Sequence, residues 1–447
     1  MSPYTPPATA VLSGRALDNV NNRNEYFESL IELMGNTYNE RTNPNGIINL
    51  AIAENSLMQK TVADFLNDNL RLETKNLTYG DGTTGSYRLK NNLARFVNNY
   101  FHPIEDVNPS EIIVSSGVSG IMDQLVWTLC NEGDGILVGK PALQCYEQEL
   151  ENFNKRKTGA RIRAVLLANP HNPLGKCYPR ETLLEYMKFC EKHDIHMIAD
   201  EVYAMSIFKT NSNQNAVGFH SALSVEIANI VDPRRIHVLY GMSKDFSCNG
   251  LRLGLVVSRN LQLVEAMPSI TIFSWPSTLA DLAWCIMLED AAFLEYYLSE
   301  HRRRLGDGYE FLAGILDTLG INYAKGTNAG FFIWADLSFA LERPIDGSEP
   351  GLEEDMELDQ RLIKGGVHLA AGLGYQAEKP GWFRITFSQP RPLLLMGLEK
   401  MMKLLTGADV NLLGAVPAHG QKAQLSDSTY SSLRSSPDPF PQRKYSI

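Results

Sequence analysis

The sequence predicts an α/β fold, a large domain with a mainly parallel sheet joined to a smaller α+β domain. Three observations carry this expectation. Short apolar, β-rich runs alternate with helical patterns through residues 111–258, as they do where helices cover both faces of a parallel sheet. Two later apolar runs, "GFFIWADL" (330–337) and "GWFRITFS" (381–388), flank the helical segment "MELDQRLIKGG", and helices segregated from few strands mark an α+β unit. The 447 residues exceed one small core and suit a large domain with an appendage.

Taken in order, the predicted strands are "EIIVSSG" (111–117), "GILVGK" (135–140), "AVLLANP" (164–170), "HMIADEVY" (196–203), "RIHVLYG" (235–241) and "RLGLVVS" (252–258). Helices between them include "GIMDQLVWTLCNEG" and "PRETLLEYMKFCEKHD". The second opens near Pro179, where a missing N–H costs nothing. One long helical region is expected from about Ala280 to Leu319. The acidic stretch "RPIDGSEPGLEEDMELDQ" contains Pro and Gly and reads as a loop leading into a helix. From about Gly420 a Ser/Pro-rich stretch has few apolar residues to bury and is expected to be disordered.

Composition narrows the function classes. Hydrophobic content of 44% and charged content of 21% are ordinary globular values. A net charge of -10 argues against a binder of phosphate backbones, so no nucleic-acid partner is expected. The six cysteines show no CxxC and no repeated spacing, which predicts neither a metal site nor a disulfide framework and suits a reducing compartment. No secretory pattern and no apolar run of membrane-spanning length is present, so a cytoplasmic location without a membrane partner is expected.

In an open parallel sheet, ligands bind beyond the carboxyl ends of the strands. After the first strand comes "SSGVSGIMD", a small-residue turn opening a helix, where backbone N–H groups can hold a phosphate. Later strand ends carry Asn169 and Asn172, then Asp200 and Tyr203, then Ser243 and Lys244, with Arg252 eight residues on. Each has an ordinary reading taken singly, as a surface lysine, a helix cap or a turn-rich loop. Together they supply what pyridoxal phosphate needs. A lysine forms the Schiff base, a carboxylate keeps the pyridine nitrogen protonated, an amide and a phenol bind the ring oxygen, and Ser and Arg neutralise the phosphate.

The motifs "LAIAENSL", "LTYGDGTTGSYRLK", "LLANPHNPLGKCYPRETL", "IADEVYA", "YGMSKDFSCNGLRLG" and "GWFRITFSQ" resemble those of fold-type I PLP enzymes of the class I/II aminotransferase family. The resemblance covers about Asn24 to Leu405 and is strongest to the fungal branch similar to 1-aminocyclopropane-1-carboxylate (ACC) synthase. It implies the aspartate aminotransferase-like fold, a homodimer, and a small-molecule substrate of the amino-acid type. It implies that Lys244 carries the cofactor and then moves the α-proton. Asp200 would pair with the pyridine nitrogen, and Tyr203 and Asn172 with the ring oxygen. Val118, Ser119, Ser243 and Arg252 fall where the family holds the phosphate. Arg384 falls at the arginine that clamps the substrate α-carboxylate. Tyr79 matches a tyrosine contributed across the dimer interface, and Glu54 a position associated with substrate choice. In domain terms, residues 1–75 would form an N-terminal arm and part of the small domain. Residues 76–290 would form the large domain, 291–410 the C-terminal small domain, and 411–447 the tail.

Two departures stand out. Gly241 occupies a position where many relatives carry a phosphate-binding serine. Between "GILVGKP" and "RIRAVLLANP" lies only "ALQCYEQELENFNKRKTGA", where the family has a longer segment with an aromatic-rich turn and a further strand. Ala142, Leu143 and Gln144 stand where the ring-stacking aromatic would be. Three functions therefore stay open. One is a lyase working by β- or γ-elimination, as in ACC synthase chemistry or the carbon–sulfur lyases of fungal secondary metabolism. The second is an aminotransferase using the same residues, and the third a catalytically impaired homologue.

Overall fold

Six strands form the central sheet of the computed structural model, in the order β2-β7-β6-β5-β4-β3. Their spans are β2 Ile112–Ser115, β3 Gly135–Val138, β4 Ile162–Ala168, β5 His196–Asp200, β6 Ile236–Gly241 and β7 Gly254–Ser258. The structure describes residues 12–21, 31–141, 161–342, 344 and 349–412. Strands β3, β4, β5 and β6 run parallel, whereas β7 is antiparallel to both β6 and β2. All six predicted strands are present, each trimmed at one or both ends. The sheet is mainly parallel as expected, with β7 the exception.

Alternation along the strands builds two cores. Val114, Leu167, Ala199, Val238 and Leu255 face one layer of buried side chains, while Ile113, Leu166, Ile198, Leu239 and Val256 face the other. A period of two with both sets apolar is what burial on both sheet faces requires. Helices Gly117–Leu129 and Arg180–Lys192 cover these faces. Among the described residues β3 is an edge strand paired only with β4, and its Leu137 is 41% exposed. The segment that sequence reasoning found short, with Ala142, Leu143 and Gln144, lies outside the described residues, as does the tail beyond Leu412.

A second sheet of three antiparallel strands has the order β10-β11-β8, built from β8 Phe332–Asp336, β10 Ala370–Ala371 and β11 Trp382–Thr386. Its core includes Leu312, Ile333, Leu362, Ile385 and Leu398, drawn from this sheet and from helices Ala291–Thr318, Leu352–Lys364 and Arg391–Thr406. A short parallel pair, β1 Ile48–Asn49 with β9 Val367–His368, attaches the early chain to this region. Leu50 N then donates to His368 O at 2.9 Å, Thr386 N to Leu50 O at 2.9 Å, and Ser56 N to Ser388 O at 3.0 Å.

The helical region expected from Ala280 to Leu319 is two helices, Thr278–Glu289 and Ala291–Thr318. Asp290 separates them, its carboxylate accepting from Phe293 N at 2.9 Å as an N-cap. The acidic stretch leads into a helix as expected, and part of it, 343 and 345–348, lies outside the described residues. Helix Leu352–Lys364 begins inside it, with Glu353, Glu354 and Asp355 in the first turn, where the helix dipole favours negative charge.

Candidate active site

Three parallel strands end side by side and deliver the chemistry. β4 leads to Asn169 and Asn172, β5 ends on Asp200, and β6 runs through Gly241 into the short helical turn Met242–Asp245 that carries Lys244. Asp200 is buried, and its Oδ1 accepts from Val202 N at 3.3 Å. Lys244 is half-buried, and its Nζ donates to Ala53 O at 2.8 Å. Tyr203 is buried with its ring edge-on to Phe331 and Phe332, both at 5.4 Å.

Lys244 is held from behind by its neighbour. Asp245 is fully buried and accepts from Met205 N at 2.7 Å and from Ser206 Oγ at 2.5 Å. These bonds clamp the lysine turn to the loop that follows Asp200 and bears Tyr203. Burial, opposed by the same hydrogen bonds, pushes the Asp245 carboxyl up to about 7. Glu201 serves the loop beneath, accepting from Ser221 Oγ and Ala222 N, both at 2.6 Å, and burial pushes it up to about 8.

Glycines bring β6, β7 and a helix start together next to the lysine turn. Helix Gly117–Leu129 starts with no side-chain cap, so its first N–H groups are left to other acceptors. Gly117 has φ +81, and a Cβ there would sit 2.5 Å from Nη2 of Arg252. Arg252 itself takes left-handed backbone (φ 54), and its Nη1 donates to Asn249 O at 2.9 Å. A Cβ on Gly254 would overlap the backbone of Gly117 and Val118, so β7 and the helix start touch main chain to main chain. Val118 and Ser119 thus stand in the first turn of this helix, with Arg252 alongside. The missing serine at 241 has a steric reason. A Cβ there would lie 2.9 Å from Leu253 O and 3.0 Å from Val118 Cγ2.

Opposite stands Arg384 on β11, only 3% exposed. Its Nη1 donates to Asn172 Oδ1 at 2.8 Å and its Nη2 to Ala51 O at 2.6 Å. The guanidinium also lies over the rings of Phe332 (4.8 Å) and Tyr375 (5.3 Å). Its Nε has no hydrogen-bond partner among the described residues, an orphan that a bound anion would satisfy. Asn169 has both amide ends engaged, donating to His220 O and accepting from Tyr178 N, which leaves Asn172 as the amide beside Arg384.

The structure therefore brings Asp200, Tyr203, Asn172, Lys244 and Arg384 to one end of the sheet, with Arg252 and Gly117 beside them. Tyr79 is not joined to them within one chain. It is 81% exposed and stacks edge-on against Trp275 at 5.0 Å. Sequence reasoning missed the carbonyls of Ala51 and Ala53, and it missed Asn249, whose Nδ2 donates to Glu54 Oε1 at 2.7 Å. Backbone acceptors leave no signature in residue type, so nothing short of the fold could have found the first two.

The sequence profile of "Aminotransferase class I and II" matches residues 45–152 and 143–393. The chain belongs to this family. It is similar to 1-aminocyclopropane-1-carboxylate synthase-like protein 1 of Homo sapiens, 30% identical over 407 residues, covering 83% of this chain and 78% of the relative. It is also similar to "Probable aminotransferase gliI" of Aspergillus fumigatus, 30% identical over 391 residues, covering 79% of this chain and 88% of the relative. In fold it resembles a Thermus thermophilus aspartate aminotransferase, with a TM-score of 0.69 at 19% identity, covering 89% of this chain and 100% of that one. Class I and II aminotransferases use pyridoxal 5′-phosphate, and the donor set suits that group. A helix start without a side-chain cap and a guanidinium against Gly117 suit a phosphate, and a buried carboxylate suits a protonated ring nitrogen.

Proposed function

We propose that this chain acts on an α-amino acid or amino-acid conjugate, with Lys244 carrying pyridoxal phosphate and moving the proton at the substrate's Cα. The observation that carries the reading is the pairing of Lys244, held by Ala53 O, with Arg384, held by Ala51 O and Asn172. A base and an anion clamp are thereby braced on the same short stretch of main chain. Arg384 would grip the α-carboxylate, using the unpartnered Nε and its remaining N–H positions. Asn172 and Tyr203 would bind the ring oxygen, and Asp200 the ring nitrogen. Val118, Ser119, Ser243 and Arg252 would hold the phosphate, and Glu54 would face the substrate. The bound cofactor supplies the electron sink that makes Cα acidic.

No membrane-spanning helix is present among the described residues. Exposed Leu77 (73%), Tyr79 (81%) and Phe273 (88%) favour a homodimer, the assembly typical of this family, in which Tyr79 serves the partner's cofactor site.

The outcome we favour is elimination, the lyase reading, in which a bond at Cβ or Cγ breaks after Cα gives up its proton. The similarity to the human ACC synthase-like protein supports it, as does Glu54, which follows the residue whose carbonyl takes the Lys244 amine, and a role in secondary metabolism goes with this reading. The fungal relative's name supports the second reading, amino-group transfer to an oxo acid. Incubation with L-cysteine conjugates, S-adenosylmethionine, and amino donor and oxo acid pairs separates the two. An oxo acid and ammonia without transfer of the amino group would sink the aminotransferase reading, and transfer would sink elimination. A visible spectrum of the protein with added cofactor, before and after Lys244→Ala, tests both. No lysine-dependent band would leave only the impaired homologue.

A further inference from the structure

Both ends of the contact between Lys244 and Ala53 are fastened to one helix face. Helix Ala291–Thr318 presents Tyr297 and His301 one turn apart, their rings stacked at 5.8 Å. The Tyr297 hydroxyl donates to Asp245 O at 3.0 Å, and Ser247 Oγ lies 3.1 Å from the same hydroxyl, which ties down the backbone of the lysine turn. His301 Nε2 lies 2.8 Å from Nδ2 of Asn55, and Asn55 stands just beyond the carbonyl of Ala53 that takes the Lys244 amine. On the next turn, Arg304 Nη1 donates to Leu57 O at 2.5 Å.

The direction of the buried bond is fixed. Asn55 Oδ1 accepts from Leu57 N at 3.1 Å, so its Nδ2 faces the imidazole as a donor and His301 Nε2 accepts. The ring proton then sits on Nδ1, which has no hydrogen-bond partner among the described residues. Asn55 and His301 are 1% and 0% exposed, and burial lowers His301 to about 3, which keeps the ring neutral and able to accept. A buried N–H without an acceptor costs stability, so what this ring does for the fold lies in where it holds Asn55. The far end of the same stretch has its own anchor. Asn49 Oδ1 accepts from Ala51 N at 3.0 Å and from Ile52 N at 2.9 Å, next to the carbonyl that holds Arg384.

We infer that His301 is a positioning residue which, through Asn55, sets the Ala53 carbonyl against the Lys244 amine, while Asn49 separately sets the Ala51 carbonyl against Arg384. The functional side of the inference rests on the roles proposed above for Lys244 and Arg384. Tyr297 and His301 refer the lysine turn and its acceptor to the same rigid element, so the amine is aimed without any side chain of the cleft touching it. Loss of the imidazole leaves Asn55 Nδ2 unpaired and frees the Ala53 end of the stretch, whereas the Asn49 turn still holds the Ala51 end. Lysine placement and anion binding therefore separate in the variants.

The first measurement needs neither cofactor nor substrate. Lys244 in the full chain without added cofactor is labelled with acetic anhydride and scored by mass spectrometry against the exposed lysines. A carbonyl acceptor favours the charged amine, which does not acylate. His301→Leu is expected to raise labelling of Lys244 about tenfold, the size of one hydrogen bond to a charged group. Asn55→Ala should do the same, and the double variant should go no further than either. His301→Gln offers an amide oxygen to Asn55 and should return labelling to within about twofold of wild type. Asn49→Ala should leave it unchanged. The second measurement uses holoenzyme and L-methionine. His301→Leu should keep L-methionine binding within about twofold by spectral titration while exchange of its Cα proton in deuterium oxide, followed by NMR, slows at least about tenfold. Asn49→Ala should weaken binding about tenfold instead. Unchanged labelling in His301→Leu, no rescue by His301→Gln, additive effects in the double variant, or the same loss of binding and exchange in both His301→Leu and Asn49→Ala would overturn the inference. A wild type that neither binds L-methionine nor exchanges its proton overturns the substrate reading, and labelling still decides the positioning of Lys244. Thermal unfolding identifies misfolding, and should His301→Leu misfold, Asn55→Ala and His301→Gln carry the same two measurements.

Discussion

Arg384 donates from Nη1 to Asn172 Oδ1 at 2.8 Å, joining residues 212 positions apart. The bond runs from β11 of the small sheet to the loop after β4 of the central one, so the residue proposed to clamp a substrate anion is tied to the strand ends of the central sheet. A lysine at 384 would keep the charge but lose the planar fork. Arg384→Lys is expected to lower kcat/KM by about a hundredfold while the cofactor absorbance stays at wild-type intensity. Steady-state kinetics beside a visible spectrum will check this, and an equal loss of both signals would contradict it.

Close main-chain contact between β7 and the start of helix Gly117–Leu129 has no room for a methyl group at 254. Gly254→Ala should destabilise the fold by about 1–3 kcal/mol and weaken cofactor binding, because the displaced atoms include the backbone of Gly117 and Val118. Urea unfolding and cofactor titration measure the two effects, and stability at the wild-type level would show that the helix start can shift freely.

Asp245 is a support for Lys244 rather than a reacting group. Asp245→Ala removes the acceptor of two buried donors, Met205 N and Ser206 Oγ. A loss of about 3 kcal/mol is expected from stranding them, together with a lower yield of lysine-bound cofactor. Measured destabilisation below about 1 kcal/mol would mean that water reaches those donors.

Acid sensitivity should come from a histidine pair at the opposite end of the sheet, His237 buried and His196 half-buried. His196 Nδ1 and His237 Nε2 lie 3.0 Å apart, and His237 Nδ1 lies 2.8 Å from Ser258 Oγ. Burial lowers His196 to about 4 and His237 to about 3, from 6.5. Because the folded values are depressed, the unfolded chain binds more protons below pH 6.5. Stability is therefore full above about pH 6.5 and is lost as the pH falls towards the folded values. At pH 5 His237 alone should remove about 2 kcal/mol. Urea midpoints from pH 8 to pH 5 will test this, with His237→Asn expected to flatten the acid arm. Unchanged slopes in that variant would move the cause elsewhere.

Much of this arrangement is legible in residue order because parallel strands display their chemistry at their ends. Asp200, Lys244 and the "SSGVSG" turn each follow an apolar run that can only be a buried strand, and proximity follows from the topology. Legibility fails where partners are distant or featureless. Ala51 and Ala53 act through carbonyls that every residue possesses. Asn249 stood inside a quoted motif without a role because its partner is 195 residues away. The antiparallel entry of β7 was hidden for a similar reason, since strand spacing does not reveal pairing direction. The break at Asp290 was more available, for an aspartate three residues ahead of a helical N–H is an N-cap signal. Continuous helical patterning on both sides masked it. Tyr79 is 81% exposed, and the role proposed for it needs a second chain, which a single fold does not display.

The stretch from Leu50 to Ser56 also has a consequence in time. It is made early, yet its hydrogen-bond partners include His368, Arg384, Thr386 and Ser388, which are synthesised more than 300 residues later. Contacts of such separation form late, because a long loop must close before they stabilise anything. The central sheet is complete in sequence by Ser258, well before these partners are made. A chain terminated between the two would keep the strands of that sheet and lack Arg384, the residue proposed to bind the substrate.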